Sequence, residues 1–177
     1  MPMQPLPPGT APGTALAAFG TTAFTAYFGL LDVGQPKSGE TVLVSGAAGA
    51  TGSFVAQIAR IQGCKVIGIA GGPVKCQWLK DACRVDHAID YKSEDIDARL
   101  SQVCPEGIDV FFDNVGGTTL ETAISHMREF GRIALCGGIS GYNDTEPAAG
   151  PSNLMELVKF RIRMQGFIVI DYMDRFP

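Results

Sequence analysis

Three glycines, Gly46, Gly49 and Gly52, recur at a spacing of three residues between an apolar run and an amphipathic segment. The run 41–44 is rich in β-branched residues, as buried strands are, and the apolar residues after Gly52 recur at helical spacing. Glycines between a strand and a helix let an anion approach the backbone, because a Cβ would obstruct it. The helix then directs free N–H groups and the positive end of its dipole at the anion. The pattern predicts a diphosphate-binding turn; a turn that only shapes an α/β core is the alternative.

A second buried strand is predicted over 65–69, which completes the strand–turn–helix–strand pattern of dinucleotide-binding folds. Sites for NAD usually place Asp or Glu at the end of that strand, to hold the ribose hydroxyls. Here the chain runs through Gly71 and Gly72 to Lys75 without a carboxylate. A lysine and free helix amides suit the additional 2′-phosphate of NADP(H), so we predict that cofactor. A solvated surface lysine is the alternative for Lys75.

Later strands also end in residues that suit a ligand, at the edge where open α/β sheets bind them. Asn114 follows an apolar run, and its amide can meet a carboxamide or a ribose because it both donates and accepts. The glycine-rich segment 137–143 follows another run and lets the backbone approach the nicotinamide ribose. Tyr91 follows a third apolar run, and we predict that its ring lies beside the cofactor phosphate or ribose. A turn residue and an ordinary half-buried tyrosine are the alternatives for Asn114 and Tyr91.

Alternating strands and helices are needed to bring these candidate site residues to one edge of a sheet. The sequence predicts strands over 41–44, 65–69, 87–90, 108–112, 130–136 and 162–170. It predicts helices over 15–31 (largely buried and broken near Gly20), 54–61, 74–82, 96–103, 120–127 and 154–160. The predicted fold class is α/β, a doubly wound six-stranded parallel sheet in the order 3-2-1-4-5-6. Residues 1–13 are predicted to be a lead-in, 14–177 the nucleotide-binding domain and 144–151 a loop.

Composition limits the classes of function. A chain of 177 residues, 46% hydrophobic and with a net charge of −4, fits one domain and argues against nucleic-acid or membrane-surface binding. No apolar run is expected to span a bilayer. The five cysteines form no CxxC pair, so we expect free thiols in a reducing cytoplasm and no metal site; they are Cys64, Cys76, Cys83, Cys104 and Cys136.

From about Ala17 to Tyr172 the chain resembles the cofactor domain of medium-chain dehydrogenases/reductases. Within them it is similar to the zinc-independent branch of prostaglandin and alkenal double-bond reductases. The segments that carry the resemblance are TAYFGLLDVG, SGAAGATGS, CKVIGIAG with Lys75 beyond it, the pair Asp90-Tyr91, FFDNVGG, GRIALCGGISGYN and MQGFIVIDY.

The resemblance implies a role for each matched position. The glycine turn binds the diphosphate, Lys75 and Tyr91 bind the 2′-phosphate, and two further segments join Asn114 around the nicotinamide. The turn residues are Gly49, Ala50, Thr51 and Gly52; the segments are Cys136, Gly137, Gly138, Ile139, Ser140, Gly141 and Tyr142, and Phe167, Ile168 and Val169. Gly72 replaces a serine common in that branch, so we expect a somewhat weaker preference for NADP.

The activity implied by the resemblance is hydride transfer from NADPH to the β-carbon of an enal or enone. Tyr142 is the catalytic candidate, as a hydrogen-bond donor to the carbonyl oxygen or to the ribose; the alternative is that it only orders its loop. Two other readings stay open, the cofactor domain of a quinone oxidoreductase and a non-catalytic NADP(H)-binding or dimerisation module.

The same resemblance implies how the chain assembles and which further parts its family members carry. Members of the family pair through the edge of the sixth strand, so a homodimer is expected. They also carry a catalytic domain before the cofactor domain and a closing segment after it, neither of which we find in this chain. We therefore expect the chain to bind NADPH and to turn over substrate poorly by itself.

Overall fold

A parallel sheet forms the centre of the computed structural model, which describes residues 8–143, 145 and 150–176. Its strands are β1 Thr41–Val44, β2 Lys65–Ala70, β3 His87–Asp90, β4 Ile108–Asp113, β5 Met127–Leu135 and β6 Arg163–Gly166. Within the described residues the six strands are ordered β3-β2-β1-β4-β5-β6 and every pair is parallel. The predicted fold class and strand order are confirmed.

Helices connect the strands on both faces of the sheet. They are α1 Pro12–Ala18, α2 Thr21–Phe28, α3 Ala50–Ile61, α4 Pro73–Ala82, α5 Ile96–Val103, α6 Gly117–Ser125 and α7 Met155–Lys159. A π-helical turn, Gly29–Gly34, follows α2, and short 3-10 turns occupy Ile139–Gly141 and Val169–Arg175. Local chemistry explains several boundaries. Asp95 caps α5 by accepting from the N–H of Ala98 at 2.9 Å, and Gly63 takes a left-handed φ of 80° after α3.

The core has two layers because successive residues of a strand point to opposite faces. Val42 and Val44 pack with α2, α3 and α4, whereas Leu43 between them packs with α5 and α6. Phe112 and Phe111 divide in the same way and both are fully buried. This two-sided burial explains why the strands read as continuous apolar runs. Because the strands are parallel, the loops that follow them meet at one edge of the sheet.

The N-terminal helical segment differs from its prediction in burial. The break near Gly20 is confirmed, since a Cβ there would lie 2.0 Å from the carbonyl oxygen of Leu16. The expected burial is wrong for α1, where Leu16 is 77% exposed, but holds for Phe28 and Leu30, which are buried. By length and composition Pro12–Gly34 meets the criterion for a membrane span, contrary to the sequence expectation. Here its second half packs against the sheet.

The sixth strand is shorter than predicted. It covers Arg163–Gly166, and residues 169–175 form 3-10 turns rather than strand. The ring of Phe167 packs edge-on against Phe112, with centroids 6.0 Å apart, and the chain then crosses α2, where Tyr172 stacks on Phe28 at 4.7 Å. These contacts turn the backbone away from the sheet edge. Residues 1–7 of the predicted lead-in and most of the predicted loop 144–151 lie outside the described residues.

Candidate functional site

A cleft of about 710 Å³ lies at the carboxyl edge of the sheet, where the order of the strands reverses between β1 and β4. Open α/β sheets bind ligands at such switch points. Ten of the positions singled out from the sequence line it: Gly46, Gly49, Ala50, Thr51, Gly52, Lys75, Tyr91, Asn114, Ile139 and Ser140. The fold thus brings together residues that are separated by almost a hundred positions in the chain.

The glycine turn forms the floor of the cleft. Gly46 has a φ of 56°, and a Cβ on Gly52 would lie 2.4 Å from the carbonyl oxygen of Gly46, so both positions require glycine. Gly49 precedes α3, and no described side chain caps that helix. The first N–H groups of a helix lack acceptors in a preceding turn. Their residues, Ala50 and Thr51, line the cleft, so these donors are available to an anion there.

A buried carboxylate organises the opposite wall. Oδ1 of Asp113, which has no solvent exposure, accepts from the hydroxyl of Ser45 at 2.6 Å and from the N–H of Val115 at 3.0 Å. The same hydroxyl accepts from the N–H of Asn114 at 2.8 Å, and Nδ2 of Asn114 donates to the carbonyl of Ser45 at 2.7 Å. These bonds hold the Asn114 amide in one orientation. Among the described residues no donor is bound to its Oδ1, which leaves that oxygen for a ligand.

The segment after β5 is attached to the same wall. Ser140 donates from its N–H and its hydroxyl to the carbonyl of Val115, at 3.1 and 2.6 Å, and Ile139 donates to the carbonyl of Asn114 at 3.2 Å. The side of the cleft near Asn114 is therefore built from two loops that share backbone bonds. Both loops line the one cleft, through Asn114, Ile139 and Ser140.

The predicted catalytic residue, Tyr142, lies outside this lining. Its side chain is 69% exposed, and its hydroxyl lies beside Gly137 and Gly138, 3.5 Å from the N–H of Gly138. A Cβ on Gly137 would lie 3.0 Å from that hydroxyl. In this arrangement Tyr142 covers its own loop, and its catalytic role stays a prediction.

Seven other predicted positions are not part of the lining: Cys136, Gly137, Gly138, Gly141, Phe167, Ile168 and Val169. Burial, and then the charge of Asp113, raise the pKa of the Cys136 thiol to about 11, so that it is neutral at physiological pH. The ring of Phe167 points into the core beneath Gly29, and Ile168 is exposed. The Phe167 side chain therefore packs in the core and not in the cleft.

The far end of the cleft contains Lys75, Gly71 and Tyr91. The Tyr91 ring covers Gly71, where a Cβ would lie 2.8 Å from the ring. Gly72 precedes α4 with φ 95° and ψ 151°, a conformation essentially restricted to glycine. The glycine that replaces a serine at this position is therefore required by the backbone that this chain adopts. Lys75 is exposed in the first turn of α4.

Sequence reasoning missed seven lining residues: Ala48, Ile69, Ala70, Gly71, Val115, Thr118 and Thr119. Thr118 and Thr119 lie in the first turn of α6, which begins at Gly117; Gly117 and the preceding Gly116 both have positive φ. The rule that ligands bind beyond the carboxyl ends of strands would have found them.

A second hollow, of about 660 Å³, lies at the opposite edge of the sheet. The helices α5 and α6 end there, with Cys104 and His126 as their C-caps, and the carboxylates of Glu106 and Glu129 outnumber the guanidinium of Arg128 in the lining. Helix C-termini carry the negative end of the dipole, so this hollow is unsuited to a phosphate. The cleft at the carboxyl edge is therefore the candidate site.

The sequence profile of the family described as "Zinc-binding dehydrogenase" matches residues 50–177. The chain belongs to this family. It is 52% identical to a putative NADP-dependent oxidoreductase of Bacillus subtilis, over 94% of this chain and 50% of that protein. It is 50% identical to prostaglandin reductase 1 of Bos taurus, over 92% of this chain and 50% of that protein. A crystal structure of CurA from Vibrio vulnificus in complex with NADPH superposes with a TM-score of 0.86 at 46% identity, covering 94% of the chain and 51% of CurA.

Within the zinc-binding dehydrogenase family, the relatives carry names such as prostaglandin reductase, 2-alkenal reductase and curcumin reductase. They place the chain in the zinc-independent branch of the medium-chain dehydrogenases/reductases, as the sequence resemblance predicted. The match covers the cofactor-binding domain, and the chain spans about half the length of the curated relatives it matches.

The family description implies zinc, but the side chains do not fit it. In the described parts of the chain, no three His, Cys, Asp or Glu residues converge on a position that could hold a metal ion. All five cysteines are free, and burial raises the pKa of Cys64 to about 11, which disfavours the thiolate that zinc requires. The mechanism proposed below uses no metal ion.

Proposed function

We propose that the chain is the NADP(H)-binding domain of a reductase that acts on activated carbon–carbon double bonds in α,β-unsaturated aldehydes and ketones. The observation that carries the proposal is the cleft in which the uncapped start of α3, Asn114 and Lys75 face one volume. The names of the relatives, among them an NADP(+)-dependent 2-alkenal reductase and prostaglandin reductase 1, support this choice of substrate class.

The lining fits an extended dinucleotide with a phosphate at its adenosine end. The diphosphate lies at Gly49–Gly52, since bare backbone and the dipole of α3 favour an anion there. Lys75 and Tyr91 lie beyond β2 and bind the 2′-phosphate through a charge-assisted bond and a phenol. On the other side of the turn Asn114 binds the nicotinamide half, because its Oδ1 can accept from a carboxamide or ribose donor.

Bound NADPH supplies a hydride to the β-carbon of the substrate, and negative charge then develops on the carbonyl oxygen. A donor at that oxygen lowers the barrier. Tyr142 is the candidate donor on this chain, and its exposed ring lies on the loop that shares bonds with the Asn114 loop. The chain spans about half the length of these relatives, and we expect it to bind NADPH and to turn over substrate poorly by itself.

We further propose that two copies pair through β6, in the reducing environment of the cytoplasm. The strand Arg163–Gly166 is at the edge of the sheet and largely exposed. Exposed apolar side chains lie nearby on α7 and after β6, at Met155, Val158 and Ile168. An open edge strand favours pairing with another strand, because its backbone N–H and C=O groups on one side have no strand partner. Sedimentation velocity tests this, with a monomer at all concentrations as the contrary result.

The test of the cofactor assignment is calorimetric titration of the chain with NADPH and with NADH. We expect tighter binding of NADPH; equal affinity, or no binding of either, would remove the assignment. Oxidation of NADPH, followed with an enal and in parallel with a quinone, then tests the substrate class. Turnover of the quinone alone would favour a quinone oxidoreductase, and binding without any turnover in a complete protein would favour a non-catalytic module.

A further inference from the structure

Asp90 places a carboxylate close to the position that selects NAD in related folds. Parallel pairing sets Asp90, the last residue of β3, beside Ala70, the last residue of β2. In NAD sites an acidic residue at the end of the second strand binds the ribose hydroxyls. Here the acidic residue lies one strand away, about 4.8 Å across the sheet. Whether it faces the ribose depends on where its oxygens point.

The oxygens of Asp90 are bound to two loops. Oδ1 accepts from the N–H of Gly72 at 2.7 Å and from the N–H of Lys92 at 3.1 Å, and Oδ2 accepts from the hydroxyl of Ser93 at 2.9 Å. The side chain is 7% exposed. The bond from Gly72 is the main reason that the pKa of Asp90 lies below its usual range, so that the carboxylate is charged at neutral pH. It therefore acts inside the protein and not on the cleft.

The two loops carry the residues that frame the proposed 2′-phosphate site. Gly72 precedes α4, whose first turn holds Lys75, and its left-handed backbone is fixed by the bond to Asp90. Tyr91 follows Asp90 directly, and its ring rests on Gly71. The Asp90 backbone is itself held, because its N–H donates to Glu94 at 2.8 Å and Glu94 pairs with Arg99 at 2.7 Å.

We propose that Asp90 is a positioning residue for the choice of cofactor: it fastens the Gly71–Gly72 turn to the Tyr91 loop so that the start of α4 and the Tyr91 ring enclose a 2′-phosphate. Asp90 itself does not contact the cofactor. The inference rests on the proposed NADP(H) function. Its consequence is that loss of the carboxylate weakens binding of the phosphorylated dinucleotide more than binding of NADH.

The experiment compares the wild-type chain with Asp90→Ala, Asp90→Asn and Asp86→Ala in titrations with NADPH and NADH. We expect Asp90→Ala to weaken NADPH about tenfold and NADH by less than about threefold. Asparagine still accepts from Gly72 and Lys92 and can donate to Ser93, so Asp90→Asn restores NADPH binding to within about threefold of wild type.

Asp86→Ala is the matched control. Asp86 also joins β2 to β3, by accepting from the N–H of Val66 at 2.7 Å, but at the amino end of the strands, away from the cleft. Its loss lowers the melting temperature without changing the ratio of the NADPH and NADH affinities. If Asp90→Ala does not fold, Ser93→Ala removes one of the three bonds, and we expect it to weaken NADPH by about threefold and NADH not at all.

Contrary results separate the inference from the function on which it rests. If the wild-type chain binds neither dinucleotide, the proposed function fails and the role of Asp90 fails with it. Suppose instead that the wild-type chain prefers NADPH. If Asp90→Ala, or Ser93→Ala in its place, keeps that preference or loses affinity for both dinucleotides equally, the proposed function stands and only the positioning role is overturned. An Asp90→Asn variant as weak as Asp90→Ala also overturns it, because geometry is then not what matters.

Discussion

The hydroxyl of Ser45 donates to Oδ1 of Asp113 at 2.6 Å, and both groups are fully buried. Ser45 follows β1 and Asp113 ends β4, so this bond joins the two strands between which the cleft opens. Because Ser45 also accepts from the N–H of Asn114, one hydroxyl joins the ends of both strands and holds the backbone that carries the Asn114 amide.

Ser45→Ala should reduce both stability and cofactor affinity. The change leaves Asp113 without one donor and the N–H of Asn114 without an acceptor, and such buried losses cost about 1–3 kcal/mol. Chemical denaturation measures the first effect and titration with NADPH the second. Ser53→Ala, on the exposed side of α3, is the control and should change neither. Unchanged affinity in Ser45→Ala would show that the amide does not depend on this bond.

Gly52→Ala should disrupt the glycine turn. The new Cβ would lie 2.4 Å from the carbonyl of Gly46 and 2.8 Å from Cα of Ala47, so the helix and the turn must separate. Overpacking of this kind costs about 1–3 kcal/mol. We expect a lower free energy of unfolding and loss of NADPH binding in calorimetry. Gly13→Ala, where no described atom lies within 4 Å of the new Cβ and which is not part of the cleft lining, provides the comparison.

Lys75→Ala should separate the two dinucleotides. A charge-assisted bond to the 2′-phosphate contributes about 1.5–3 kcal/mol, which corresponds to a loss of about tenfold or more in NADPH affinity. NADH, which lacks that phosphate, should bind nearly as before. Lys80→Ala, near the end of the same helix, controls for general charge. Equal losses for both dinucleotides would place the 2′-phosphate elsewhere.

Gly72→Ser tests whether a serine hydroxyl improves the phosphate site. Because Gly72 has a φ of 95°, a serine there strains the backbone by about 1–3 kcal/mol, and we expect lower stability with no gain in NADPH affinity. Thermal melts and titration with NADPH measure the two effects. The control is Gly13→Ser, at a glycine with an ordinary φ and no described atom near the new Cβ. A more stable variant that binds NADPH more tightly would contradict the strain.

Asp90 should make stability depend on pH in the acid range. The bond from Gly72 lowers its pKa in the folded state relative to the unfolded value of about 3.9. Its stabilisation is therefore complete above about pH 4 and is lost as pH falls through the folded-state pKa. The free-energy difference between wild type and Asp90→Ala, measured by urea denaturation, should stay constant from pH 6 to about pH 4 and shrink below it. A constant difference would mean that the carboxylate does not titrate with folding.

Local patterns predicted the strands near the site because β1, β2 and β4 are buried on both faces and are followed within two residues by glycine or asparagine. Contacts that are distant in sequence could not be predicted in that way. Phe167 lies in an apolar run typical of a strand, yet its burial against Phe112 ends β6. Similarly, Asp90 was recognised only as part of a motif, because its bond to Gly72 depends on the register of β2 and β3.

The stacking of Tyr172 and Phe176 on the rings of Phe28 and Phe24 makes the final turns of the chain a cover for α2. Deletion of the residues beyond Gly166 would expose both phenylalanine rings to solvent. We expect such a variant to precipitate during purification, because exposed apolar surface promotes aggregation. An affinity tag is therefore better attached at the amino terminus, and a fluorescent label near Phe176 would report on detachment of this cover before the sheet itself melts.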